Sequence, residues 1–442
     1  MAGKKAILLI LLLWALSCAA CEAAAERSIE QEVNQPSTSA KGPANDERSD
    51  ALGGSATGSA DRGRDGIEAD LVFTGGTLVD GTGGRPLADA AVAVRDGRIV
   101  AVGKADKVTV ADGARTLDVS GKTVLPGFIN AHVHSRYVGL EETRAWTRAG
   151  VTTVRDLGGP LEEMVGRKRD SEASGDPRLP GLLVSGPMIS VPGGHPFAIY
   201  GDDYPALAVR GPDGARTQVD RLLDAGVDHI KFAVSGRTET GWPELSDEEI
   251  QAIADTAHAR GARVSAHVDA AAGLRRAVEN GIDDAAHSPR DTIPDDLIRE
   301  MVERDVALIP TIDVYQNIAE EGGTVAAWNA ATLPVVQDNL RRFVAAGGTV
   351  ALGDDFGNPG VEIGMPMDEI EQWTAAGLDP MRIIVAGTRD AAKVSGVEKE
   401  LGTVERGKTA DLLVVSGDPL KDPRSLERVE LVVHEGRLAF RR

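Results

Sequence analysis

Apolar and polar positions alternate in short runs from Asp70 to Pro126. The stretches "ADLVFTGGTLVDGTG", "AAVAVRDGRIVAVG" and "RTLDVSGKTVLPG" break at Gly or Asp-Gly, the pattern of antiparallel strands joined by tight turns. The same texture returns in "ADLLVVSGDP" and "VELVVHEGRLAF". Two strand-rich ends around a different middle predict a small β-sandwich built from residues 67–126 and 401–442. Across 127–400 strand-like runs alternate with helical periodicity. Candidate strands end near His134, Asp156, Ser185, Phe232, His267, His287, Thr311 and Asp355. Between two of them, "SDEEIQAIADTAHARG" carries an N-cap Ser246, early acids and a closing Gly261, the marks of a helix. Such a repeat predicts the α/β class, and specifically a (β/α)8 TIM barrel.

The N-terminus reads differently. "MAGKK" is basic and "AILLILLLWAL" is apolar but too short for a bilayer, which needs about 20 residues. This is the pattern of a signal peptide over residues 1–21. "WALSC" resembles a bacterial lipobox and makes Cys18 the first candidate for lipidation, with Cys21 second and ordinary cleavage the alternative. Residues 22–66 are rich in Ser, Gly, Ala, Asp and Glu and hold too few aliphatics to offset chain entropy, so a disordered tether is expected there. The protein is then expected to be exported and to meet the membrane only through an N-terminal lipid anchor.

Composition narrows the chemistry. Apolar residues are 42% and charged residues 26%, ordinary for a globular protein. A net charge of −20 argues against nucleic acid as a partner. The two cysteines both lie near the N-terminus, which leaves no thiol in the folded part for disulfides, zinc or nucleophilic catalysis.

The candidate chemistry is histidine-based. In "FINAHVHSR", His132 and His134 stand two apart, which on a strand places both imidazoles on one face. Such a pair at a barrel strand's C-terminal end suits a divalent metal; a polar loop pair is the plainer reading. His267 ends "ARVSAH" and His287 ends "GIDDAAH", so four histidines fall at the ends of three predicted strands. His229, His258 and His434 are assigned structural or surface positions. Lys231, in "GVDHIKFAVSG", ends the fourth strand. Its ammonium cannot bind metal, but a neutral buried amine can react with carbon dioxide to give a bridging carbamate. A Schiff-base lysine and a salt-bridging lysine are the rivals, and the four histidines favour the carbamate.

These residues resemble the amidohydrolase superfamily, in its branch near imidazolonepropionase and the metal-dependent Xaa-Pro or Xaa-Arg dipeptidases. The resemblance rests on "VLPGFINAHVHS", "GVTTVRDLGG", "HIKF", "VSAHVD", "AAHS", "ALGDD" and "LGTVERGKTADLLVVSGDPL". It implies two divalent ions, zinc being the expected one. His132, His134 and a strand-eight aspartate would bind the first, and His267 and His287 the second, with Lys231 bridging as its carbamate. Relatives usually read "GTD" where this chain has Gly353-Asp354-Asp355, and that register makes Asp355 the metal ligand and proton shuttle. Asp354 becomes a supporting residue. His195, in "VPGGHPF", matches a family loop histidine near the scissile carbonyl. Arg136, Tyr137, Arg237 and Tyr315 lie in predicted mouth loops where they could meet a substrate carboxylate or ring. The implied reaction is hydrolysis of a C–N bond in a small amide, a dipeptide or N-acyl amino acid, by a metal-bridged hydroxide. A cyclic amide, imidazolone or lactone is the alternative substrate, and a non-catalytic tethered binding protein the more distant one. Homo-oligomerisation is left open.

Overall fold

The computed structural model describes residues 66–237, 240–320 and 323–442. The expected leader over 1–21, with Cys18 and Cys21, and the tether up to residue 65 lie outside the described residues. Five strands come first, β1 (Leu71–Leu78), β2 (Leu87–Arg95), β3 (Arg98–Lys104), β4 (Arg115–Asp118) and β5 (Lys122–Pro126). The middle of the chain holds β6 (Phe128–Val133), β7 (Val151–Asp156), β8 (Gly181–Val184), β9 (Met188–Ser190) and β10 (Ala206–Ala208). It continues with β11 (His229–Ala233), β12 (Arg263–His267), β13 (Asp284–Ala285) and β14 (Ala307–Leu308). The last three are β15 (Leu412–Ser416), β16 (Val429–His434) and β17 (Arg437–Arg441).

Both chain ends build one region, as their shared texture predicts. Its strands form a single eight-stranded mixed sheet, ordered β17-β16-β15-β5-β1-β2-β3, with β4 also on β1. The two ends meet where β15 runs antiparallel to β5. Strand β1 pairs in parallel with β4 from Leu71–Arg115 to Thr74–Asp118 and then with β5 through Thr77 and Leu78, while its ladder with β2 shifts register on either side of Gly76. Along that edge one strand serves two successive neighbours, and all eight strands belong to one hydrogen-bonded sheet. Phe73, Val92, Val94, Leu412, Val414 and Val433 form its own apolar core.

The middle is an α/β fold of parallel strands and helices. Strands β6, β7 and β8 form one parallel sheet, and β10-β9-β11-β12-β13-β14 form another. The third predicted strand is split between them at Ser185–Pro187, where proline supplies no N–H to continue the ladder. Across that break Asp228 N donates to Val184 O at 2.8 Å. At the far edge, residues 349–356 bond to both sheets without forming a regular strand. Leu308 N donates to Thr349 O (3.0 Å) and Ala131 N to Leu352 O (2.8 Å). Among the described residues the ladders are therefore two parallel sheets, not one unbroken ring.

Helices cover the parallel strands. The helix Asp247–Ala259 starts as expected, with Ser246 and Glu249 forming a reciprocal capping box. Ile253 and Leu274 from the helices pack with Ile230, Phe232 and Val264 from the strands. No helix among the described residues is long and apolar enough to cross a membrane.

Candidate active site

The site is assembled where β6, β11 and β12 end. His132 lies in β6 and His134 just beyond it, and the segment before Phe356 is bonded alongside. Asp355 N donates to His132 O (2.9 Å) and His134 N to Phe356 O (2.7 Å). Asp355 has φ +55, a left-handed conformation uncommon for a non-glycine residue. Its Oδ1 lies 3.2 Å from His132 Nε2 and 3.1 Å from His134 Nε2, and that oxygen has no hydrogen-bond partner. The His134 Nδ1 sits 3.2 Å from Gly158 O; burial works to lower this imidazole, but Asp355 outweighs it and raises it above the ordinary value. Gly353 makes the close approach possible, since a Cβ there would stand 2.9 Å from the backbone N of His132.

His287 continues the cluster, its ring 4.9 Å from that of His132 and 4.7 Å from that of His267. Its Nδ1 is 2.8 Å from Thr311 Oγ1, which frees the other nitrogen. His267 Nε2 approaches Asp269 Oδ2 at 3.2 Å, and His195 stacks on the His267 ring at 3.9 Å. Asp269 also accepts from Ser235 Oγ at 2.6 Å and lies 3.4 Å from Arg290 Nε. Burial works to raise the Asp269 carboxyl, but His267, Arg290 and His195 outweigh it and hold it well below the usual range. Burial, reinforced by neighbouring cationic charge, keeps His132, His195 and His287 well below the ordinary imidazole value. Neutral imidazoles are the form that binds metal.

Lys231 is wholly buried in β11, and its Nζ has no hydrogen-bond partner. Burial pushes its ammonium down to about 7, against the attraction of Asp355 and Asp284. Asp284 is itself paired with Arg155 at 2.9 Å, both fully buried, and accepts from Ser265 Oγ.

The structure thus brings together His132, His134, Asp355, Lys231, His195, His267 and His287. Two trios have ligand atoms within 4.8 Å of one another, His132–His134–Asp355 and His195–His267–Asp269. The second differs from the sequence expectation, which paired His267 with His287 and left Asp269 unassigned. Its sequence signal is that Asp269 stands two residues after His267, as His134 stands two after His132. The Nε2 atoms of His132 and His134, converging on the unpartnered Asp355 Oδ1, give a nitrogen and oxygen donor set that fits a zinc-type ion.

The mouth residues separate. Arg136 lies with its guanidinium 4.6 Å from the Tyr137 ring and 4.7 Å from the Tyr204 ring. Tyr315 is in the wall, donating to Ser288 O at 3.1 Å beneath Arg290. Arg237 lies in the loop after β11, where its carbonyl accepts from Thr240. Tyr200 and Tyr204 were not anticipated from the sequence. Asp354 points elsewhere, with Oδ1 accepting from Asn130 Nδ2 (2.8 Å) and Phe356 N (3.0 Å). It lines a separate cavity of about 330 Å³ with Asp313.

Known proteins share this arrangement of sequence and fold. The imidazolonepropionase of Symbiobacterium thermophilum is 29% identical over 409 residues, covering 78% of this chain and 91% of its own. A putative prolidase from Bifidobacterium longum superposes with a TM-score of 0.74 at 30% identity, over 85% of this chain and 95% of that one. A Xaa-Pro dipeptidase with methionine bound in its active site superposes with a TM-score of 0.73 at 25% identity, over 83% of this chain and 99% of that one. The profile of the Amidohydrolase family matches residues 123–439. The chain therefore belongs to the amidohydrolase family, metal-dependent hydrolases that act on carbon–nitrogen bonds.

Proposed function

We propose that the protein hydrolyses the C–N bond of a small acyclic amide, a dipeptide or N-acyl amino acid, at a centre of two divalent ions, zinc in the first instance. The two parallel sheets are read as one (β/α)8 barrel over 127–400, opened at the broken third strand, with the β-rich region of 67–126 and 401–442 beside it. The observation that carries the reading is the convergence of His132, His134 and Asp355 on one point, next to a buried, unpartnered Lys231.

His132, His134 and Asp355 would hold one ion, and His267 and His287 the other. Neutral Lys231 adds carbon dioxide through Nζ and releases a proton, and the resulting carbamate offers two oxygen ligands. Divalent cations in such a site supply Lewis acidity and make a bound water acidic near neutral pH. Asp355 takes the proton of the attacking water on its free oxygen and returns it to the leaving nitrogen. His195 keeps one N–H when neutral and donates to the oxygen that becomes negative. Asp269 steadies His267 from behind, as carboxylates commonly do for metal-binding imidazoles.

Reconstitution with zinc and bicarbonate, followed by elemental analysis, should find close to two ions per chain. Turnover of a panel of dipeptides, N-acyl amino acids and cyclic amides then names the substrate class. Lys231→Ala should lose metal and activity together, with short carboxylic acids plus zinc restoring part of both. A reconstituted wild-type protein without bound metal, or a fully active Lys231→Ala variant, ends this reading.

A further inference from the structure

The chain has four tyrosines in 442 residues, and the fold gathers three of them on the rim of the histidine site. Gly357 separates the Tyr137 ring from His134, a Cβ there falling 2.6 Å from the ring and 3.0 Å from His134 Cβ. The Arg136 guanidinium is held between the Tyr137 and Tyr204 rings, and Tyr200 stacks on Tyr204 with centroids 4.9 Å apart and planes 22° from parallel. Arg136 Nη2 donates to Tyr137 Oη, while its Nε is buried without a partner. Among the described residues no carboxylate pairs with Arg136. A planar cation packed against two rings is fixed in orientation, and its Nη1, which has no hydrogen-bond partner among the described residues, suits a carboxylate.

The rim is also unusually apolar for an exposed surface. Tyr137, Ile199 and Tyr200 are 41%, 47% and 54% exposed, and Ile67 is the one other large apolar side chain exposed among the described residues. Aromatic groups gathered in the open beside a polar site are the composition of a ligand-binding surface. Asp355 lies within electrostatic reach of Tyr200 and Tyr204, which ties the rim to the reacting centre.

We propose that Tyr137, Tyr200 and Tyr204 form an aromatic clamp around Arg136 that selects amides whose amino-acid part carries a flat ring next to a free carboxylate. The ring extends the stack on the exposed face of Tyr200, and Arg136 takes the carboxylate. This rests on the hydrolase reading above and narrows it to acylated or peptidyl aromatic amino acids. Stacking of this kind discriminates by roughly three- to tenfold against an aliphatic side chain of similar size.

Calorimetric titration of the zinc-loaded protein with L-phenylalanine and L-leucine, the amino-acid halves that such amides release, reads the clamp without turnover. Phenylalanine should bind about three- to tenfold tighter. Tyr200→Ala and Tyr204→Ala should erase that preference while metal content is kept. Tyr204→Phe, which keeps the ring, should retain the preference. Arg136→Met should weaken both amino acids and leave the ring preference in place. Equal affinity in the wild type, no binding of either amino acid, or a preference that survives Tyr200→Ala with Tyr204→Ala overturns the clamp. Turnover is scored apart from this. Hydrolysis of amides without ring preference overturns the clamp alone, whereas ring-selective binding without hydrolysis of any amide overturns the hydrolase reading.

Discussion

Asp354 and Asp355 are neighbours with opposite surroundings. Asp355 turns at φ +55 and offers an unpartnered oxygen to two imidazoles. Asp354 is tied by Oδ1 to Asn130 and Phe356 N, and burial pushes its carboxyl up to about 7. An asparagine can keep the Oδ1 contacts of Asp354 but cannot act as a proton shuttle at 355. Asp355→Asn should therefore lower kcat at least about a hundredfold. Asp354→Asn should stay within a few-fold of wild type with its metal retained. Steady-state kinetics with metal analysis separates the two, and the reverse outcome would move the catalytic role to Asp354. The His132–His134 pair was legible because both residues sit on one strand at a spacing of two. Asp269 was not, because its partners Ser235 and Arg290 come from other loops.

At the scale of elements, the segment from Thr349 to Phe356 does the joining. It takes hydrogen bonds from β14 and from β6 while remaining outside both ladders. Small side chains allow this: a Cβ on Gly353 would press within 2.7 Å of Ile309 and 2.9 Å of His132. Gly353→Ala should push the segment away from β6, cost about 1–3 kcal/mol of stability, and weaken metal binding by displacing Asp355. Chemical denaturation and a metal titration measure the two effects. A variant with unchanged stability and affinity would mean that the segment yields without cost. Sequence periodicity marked this element as an eighth strand, which is right for its position in the chain. Its irregular backbone was hidden, because it depends on contacts with strands far away in sequence. The split of the third strand had a visible cause in Pro187.

For the whole molecule, the sheet made from both chain ends is coupled to β6 through one buried acid. The Asp411 carbonyl accepts from Gly127 N at 2.8 Å, and its Oδ1 accepts from Glu435 N at 2.8 Å. Its Oδ2 has no hydrogen-bond partner and lies 3.8 Å from His434 Nε2, a histidine whose other nitrogen faces Pro177 O. Burial raises the Asp411 carboxyl above its ordinary 3.8, more than His434 lowers it. Above that ordinary value the folded state keeps a proton the unfolded chain has released, so wild-type stability declines as pH rises through the raised value. Asp411→Asn removes that penalty. The variant's Tm relative to wild type should climb between about pH 4 and neutrality, and a difference independent of pH would exclude Asp411 as its source. The sequence by itself determined the alternation of strand and helix, the shared texture of the two ends and the residue types of the candidate site, because each is a periodicity or a local motif. Only the tertiary structure decided which separate elements meet: Asp355 with the paired histidines, Asp269 with His267, and the tyrosines with Arg136. Those contacts join residues far apart along the chain, and spacing within an element carries no information about which loop it will face.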